Sequence, residues 1–387
     1  MLVVEKYKKT EAGIIPRDWK IKKIKEVLDF STDTISTELF DDKYYVSTEN
    51  LLPNKKGVKP YDGVLNCRCV REYRKEDILI SNIRPYLKKI WFAENNGGCS
   101  ADVIVFRNKD NKRYYSKFIF FQLSDDKFFE YTINTATGTK MPRGDKKLIA
   151  EYFLKAPQNI QEQQAIADVL RDTDNLISSL QRLIDKKKAV KQGAMEELLT
   201  GKRRLPGFNG EWVEKKLEAV LANITTGKLD ANAMKENGKY RFYTCAKEFY
   251  KIDKYAFDTE AILISGNGAN VGYIHYYKGK FNAYQRTYVL YDFYENINFI
   301  RYYLKLNLKK RIANEKSESN TPFIKMDTLL DMSLVIPLSK EEQEAIARVL
   351  SDMDSEINEL EKKLSKYEKI KQGMMQQLLT GRIRLLD

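Results

Sequence analysis

The chain is 387 residues long, 43% hydrophobic, and carries 67 Lys and Arg against 54 Asp and Glu, a net charge of +13. That length exceeds one ordinary core and predicts two or three domains, while the apolar content excludes global disorder. A single histidine, His275 in the strand-like "VGYIHYY", leaves no Ser-His, Cys-His or two-histidine metal site, and four cysteines make no disulfide framework. A reduced, cytoplasmic protein with a polyanionic partner is expected.

The opening "MLVVEKYKKTEAG" has too short an apolar run for a signal-peptide core, and no stretch approaches the length of a membrane span. The first globular part, residues 1–157, has the strand signals "KYYVS", "DILIS", "KIWFA" and "DVIVF", followed by the helical "SKFIFFQLSDDKFFEY". A helical region follows over 158–204. The second globular part, 205–337, has strands at "RFYTCA", "AILIS", "VGYIHYY" and "RTYVLY" and a helix at "INFIRYYLKLNLKKRI". A second helical region fills 338–387. Each globular part reads as a compact α+β domain.

Motifs for chemistry are absent. "GNGANVG" has the wrong spacing for a dinucleotide turn, and a strand follows where a helix is required. Cys67 and Cys69 lack a second cysteine pair for zinc. There is no P-loop and no Asn/Asp-Pro-Pro-Tyr/Phe methylase signature. The chain reads as a binder without catalytic residues or metal ligands.

Its strongest signal is a repeat. "KQGAMEELLTG" from Lys191 returns as "KQGMMQQLLTG" from Lys371, and residues 162–205 match 342–385 at 22 of 44 positions without a gap. Pro142 and Pro157 meet Pro322 and Pro337 in the same register. At another offset "WKIKKIKEVL" from Trp19 matches "WVEKKLEAVL" from Trp212, and "ILIS" occurs at both Ile78 and Ile262. Two tandem copies of one unit result, each a globular part followed by a long helix.

In both helices the seam residues, apolar except for Thr173, step by four and three, through Ile166, Leu170, Thr173, Ile177, Leu180 and Ile184, and through Ile346, Leu350, Met353, Ile357, Leu360, Leu364 and Tyr367. This heptad seam needs a partner helix, and two equivalent units are best related by a twofold axis, which makes the pair an antiparallel coiled coil. Gly201 and Gly381 are predicted to end the helices, giving rods of roughly 38 residues and about 57 Å. Lys191 and Lys371 fall on the seam, where a charge must find solvent or a counterion. Met195 and Leu199, with Met375 and Leu379, lie off the seam and need a second covering surface. Either the adjacent globular part or another protein provides it; with Lys191, Gln192, Lys371 and Gln372 they form the candidate site for one partner bound twice.

Between the strands lie polar, basic loops. Side chains of Asn, Gln and Arg pair with base edges, and Lys, Ser and Thr suit phosphates. The candidate DNA contacts are Ser81, Asn82, Arg84, Lys88 and Lys89; Thr137, Lys140 and Arg143; Ser265, Asn267 and Asn270; Gln285 and Arg286; and Asn320 and Lys325.

The tandem plan, "EQxAIAxVL", "KQGxMxxLLTG" followed by "RxRL", and the "IPxDW" and "FNGEW" lead-ins resemble the specificity subunit of type I restriction–modification systems. The resemblance covers nearly the whole chain. It implies two target recognition domains, each reading one half of a split duplex DNA target, and two helical regions that bind methyltransferase subunits, two of them expected. It implies adenine methylation from S-adenosylmethionine, with restriction subunits adding ATP- and Mg-dependent translocation and cleavage, all in partner subunits; this chain itself needs no cofactor. The globular parts are the family's variable regions, so no base contact carries over by position. A second reading stands beside it here: a coiled-coil scaffold whose domains bind protein. A self-sufficient nuclease or methylase lacks its motifs.

On the first reading the rod is a ruler. Matched seven-residue insertions near Asp185 and Ser365 would keep the seam in register and add about 10.5 Å, roughly three base pairs. Methylation mapping should then find a longer spacer between half-sites; an unchanged spacer would remove the helices as its determinant.

Overall fold

The computed structural model describes residues 6–314 and 323–386. It divides into two compact units, Met1–Leu180 with Lys363–Asp387, and Gln181–Lys362. Both divisions fall inside the long helices Ile160–Leu198 and Lys340–Leu378, so each unit holds one half of each helix. The two helices are 39 residues each, as the seam predicts.

Within the first unit the helices pair antiparallel. Lys371 binds Asp174 at 2.5 Å, Thr173 Oγ1 lies 3.9 Å from Met374 Sδ, and Arg384, beyond the second helix, reaches Glu162 near the start of the first. Within the second unit Lys191 binds Asp354, Lys187 binds Glu356 at 2.7 Å, and Arg204 reaches Glu342. The seam lysines therefore find counterions at equivalent places in both units, which penalises any shift of register. Asp354 also accepts the Tyr302 hydroxyl at 2.7 Å. Burial works against its ionisation, but the bonds from Lys191 and Tyr302 prevail and hold the carboxyl below its ordinary range.

The globular parts share a four-stranded antiparallel sheet. In the first unit its order is Leu28–Phe30, Val103–Asn108, Ile78–Ser81 and Ile90–Phe92. In the second the same order runs Leu221–Thr226, Thr287–Phe293, Phe257–Ser265 and Ile274–Ala283, extended by Tyr240–Tyr243 and Tyr250–Ile252. The first unit instead adds a separate four-stranded sheet containing Tyr45–Val46 and Cys69–Tyr73. All eight expected strands are present. The helical stretch of the first unit breaks into Ser116–Leu123 and Asp126–Asn134, because Asp125 caps the second piece through Lys127 N–H; its counterpart Ile297–Asn314 is continuous.

The repeated phrases turn out to be fasteners. Trp19–Lys23 pairs with Phe153–Pro157, and Trp212–Lys216 with Ser333–Pro337, each Trp opposite a Pro. Gln163 and Gln343, both fully buried, donate to the carbonyls of Pro157 and Pro337 and accept from Tyr115 N–H and Asn296 N–H. At the helix ends Gly201 and Gly381 adopt φ +70° and +68°. Arg382 N–H bonds Gln377 C=O and Gly381 N–H bonds Leu378 C=O, the paired closure that needs a left-handed residue. A Cβ on Gly381 would collide with Pro16 at 2.5 Å and crowd Trp19 at 3.1 Å, and one on Gly201 would rest against Trp212 at 3.4 Å. "LLTG" and the Trp lead-in are two sides of one contact.

Candidate nucleic-acid interface

In each unit the loop after the "ILIS" strand is tied to the segment before a short helix. Asn82 C=O accepts from Gly144 N–H at 3.1 Å, Arg84 N–H donates to Pro142 C=O at 2.8 Å, and Ile83 bridges Arg143. In the second unit Gly266 C=O accepts from Ile324 N–H at 2.8 Å and Asn267 bridges Phe323. Left-handed backbone at Arg84 and Lys88 in the first unit, and at Gly268 and Gly272 in the second, turns each loop sharply.

The first unit thereby gathers Arg84, Thr137, Lys140 and Arg143 on an exposed surface. Thr137 and Arg143 close their loop through two backbone bonds of 2.9 Å. Arg143 is held at 3.1 Å from Asp102, both side chains exposed, a pair that screening leaves weak and exchangeable for a phosphate. The second unit gathers Gln285, Arg286 and Lys325 as exposed residues, with Asn267 and Asn270 half-buried. Arg286 C=O accepts from Gly266 N–H at 2.8 Å, and Asn270 Nδ2 donates to Cys245 C=O at 3.1 Å, which draws three loops together. Gln285 Nε2 lies 3.4 Å from Asp230. Asn320 lies outside the described residues.

Several expected contacts need correction. Ser81 and Ser265 are buried, Ser81 donating to Ile83 C=O at 3.0 Å, because each ends a central strand rather than opening the loop. Lys88 is paired with Asp126 at 2.7 Å, and Lys89 donates to Thr48 C=O with its amine lowered by burial and then by Arg84. These two lysines brace the loop from within. Asn82 Oδ1 is buried without a hydrogen bond, so that acceptor does not face a base.

The helix phrases are corrected too. Met195 and Leu199 sit at 5% and 0% exposure in a core with Leu217, Val220 and Phe299. Leu379 is buried, and Met375 partly so, against Ile15, Trp19 and Phe118. The chain's own globular parts cover the off-seam pairs, and Lys191 and Lys371 are spent in ion pairs. Of the eight candidate partner contacts, Gln192 and Gln372 are exposed. Beside them Gly193 and Gly373, inside their helices, have nothing within 4 Å of a would-be Cβ.

His275 is a strand residue, as expected; its Nε2 lies 2.9 Å from Ala246 C=O, and burial lowers its pKa. Among the described residues no His, Cys, Asp and Glu group could hold a metal, and no helix is long and apolar enough to cross a membrane.

Two domains of one kind, each on a strand-rich scaffold with a basic loop cluster and each clasped to a half of the helix pair, define a repeat protein with duplicated recognition surfaces. Residues 16–189 and 209–372 match the family model of the type I restriction modification DNA specificity domain, once per copy. The chain belongs to that family. The specificity subunit of the type I restriction enzyme EcoDI from Escherichia coli is 38% identical over 160 residues, 41% of this chain and only 35% of that protein. The specificity subunit of the MjaVIII enzyme from Methanocaldococcus jannaschii is 25% identical across 98% of this chain and 96% of that protein. The crystal structure of the S subunit of a type I restriction–modification system from M. genitalium shares the fold, with a TM-score of 0.68 at 19% identity, covering 93% of this chain and 96% of that one.

Proposed function

We propose that this chain is the DNA sequence-specificity subunit of a type I restriction–modification complex. Each globular part reads one half of a split duplex target, and the paired helices dock methyltransferase subunits. The observation that carries the reading is the family match, made separately by each copy of the repeat. It favours DNA over the protein-binding scaffold, as does the surplus of 13 positive charges. The chain is not itself a catalyst on this reading; methyl transfer from S-adenosylmethionine, and ATP- and Mg-dependent cleavage, belong to partner subunits. The docking surface includes Gln192 with Gly193 and Gln372 with Gly373. A mid-helix glycine costs about 1 kcal/mol against alanine, and open space around both leaves room for a partner's close approach.

The test is assembly and salt. A methyltransferase should co-purify with the tagged chain and the complex should retain duplex DNA. Arg84, Lys140, Arg143, Arg286 and Lys325 are exposed, and each phosphate contact adds about −0.9 to the log–log salt slope. A slope near zero would exclude this footprint. Replacing Asn267 or Gln285 should relax one target position, whereas Lys140→Ala should weaken all sequences alike.

A further inference from the structure

Apart from those loops, the second unit holds a cleft of about 450 Å³ beside the strands Tyr240–Tyr243, Tyr250–Ile252 and Ile274–Ala283. Lys239, Arg241, Lys251 and Lys280 line it, and among the described residues no carboxylate does. Lys280 stands 3.8 Å from Asp258 outside the cleft. Arg241 and Lys251 are direct cross-strand partners, so two positive side chains share one face at close range. Like charges so placed repel unless an anion lies between them.

The aromatic residues decide which anion. The Arg241 guanidinium lies over the rings of Phe249 and Tyr277, 4.3 and 4.4 Å from their centroids, and donates to the Tyr243 hydroxyl at 3.3 Å. Stacking fixes the plane of the fork and leaves further N–H groups along its edge for phosphate oxygens. Phe249, which lines the cleft with Tyr240 and Tyr277, is still 41% exposed. Rings give nothing to the phosphates of a duplex, whose bases are stacked on each other. They suit an unpaired base, and cations interleaved with rings are the pattern of single-strand grooves.

We propose that this cleft is a single-stranded nucleic-acid site, taking phosphates on Lys239, Arg241 and Lys251 and stacking an unpaired base on Phe249. It is built on different residues from the duplex-reading loops and stands independently of them.

The probe is a labelled oligo-dT of about ten nucleotides, within the usual site size, titrated with the full chain at several salt concentrations. Binding is expected. The Lys239→Ala/Lys251→Ala double variant should reduce the salt slope by about 1.4, two contacts at about 0.7 each on a single strand. Phe249→Ala should weaken binding about tenfold with the slope unchanged. All three side chains are exposed, so urea midpoints should match the parent. The proposal is overturned if the parent does not bind oligo-dT, if Phe249→Ala binds as the parent does, or if polyglutamate competes as well as unlabelled oligo-dT. It is equally overturned if these variants weaken duplex binding by the same factor, since the cleft would then serve the duplex backbone. Target preference of the assembled complex is read separately; its absence in the parent would sink the duplex reading and leave this one standing.

Discussion

Leu199→Ala and Leu379→Ala should each cost about 2–5 kcal/mol, among the largest losses a single side chain of this protein can produce. Both side chains are almost wholly buried, Leu199 at 0% and Leu379 at 4%, in cores that join a helix end to a globular part. Truncation leaves a cavity between two elements held in place by other contacts, so the site cannot simply collapse. The losses should be separate. Leu199 belongs to the second unit and Leu379 to the first. Trp212 and Trp19, packed on the cap glycines, supply a fluorescence reporter in each. Urea titrations should show the Trp212 unit loosening first in Leu199→Ala and the Trp19 unit first in Leu379→Ala. Gln192→Ala and Gln372→Ala should stay within about 0.5 kcal/mol of the parent. Gly193→Ala and Gly373→Ala should stabilise the free chain by up to about 1 kcal/mol while weakening methyltransferase co-purification. If Leu199→Ala keeps its midpoint yet loses the methyltransferase, the apolar pair is a partner surface after all.

Exchanging residues 20–150 for the same segment of another family member should change one half of the methylated target completely and leave the other half untouched. The segment contains the whole four-stranded sheet of the first unit and its exposed Arg84, Lys140 and Arg143. It leaves Pro157 and Gln163 in place and keeps the Trp19 contact with Gly381, but it carries Tyr115, whose N–H bonds Gln163, and Phe118, which packs in the core of Trp19 and Leu379, so the incoming segment must supply their equivalents. Recognition and attachment thus use different residues. Methylome sequencing reads both half-sites at once. Change in both halves, or in neither, would mean that the two domains do not read separately.

Much of this was legible because the helices obey a short-range rule. A four-three apolar spacing forces a seam on any helix that adopts it, so Ile166 to Ile184 and Ile346 to Leu364 announced the helix pair, its length and its lysine positions. The short continuous apolar, β-branched and aromatic runs of "DILIS" and "RTYVLY" likewise announced strands, and the repeat at offset 180 announced the duplication. What covers a residue off the seam is a different kind of question. Met195 and Leu199 demand a cover, but local spacing cannot say whether it is Leu217 and Phe299 of the same chain or another protein. Likewise Ser81 and Ser265 read as loop residues beside Asn and Gly, and pairing with strands more than twenty residues away buries them. The cationic cleft went unseen for the same reason. Arg241, Phe249, Lys251 and Tyr277 are scattered along 37 residues of chain, and only strand register and sheet order bring them to one face. Periodicity reports which side of an element is apolar; which partner meets that side depends on long-range pairing, and there the tertiary structure decided.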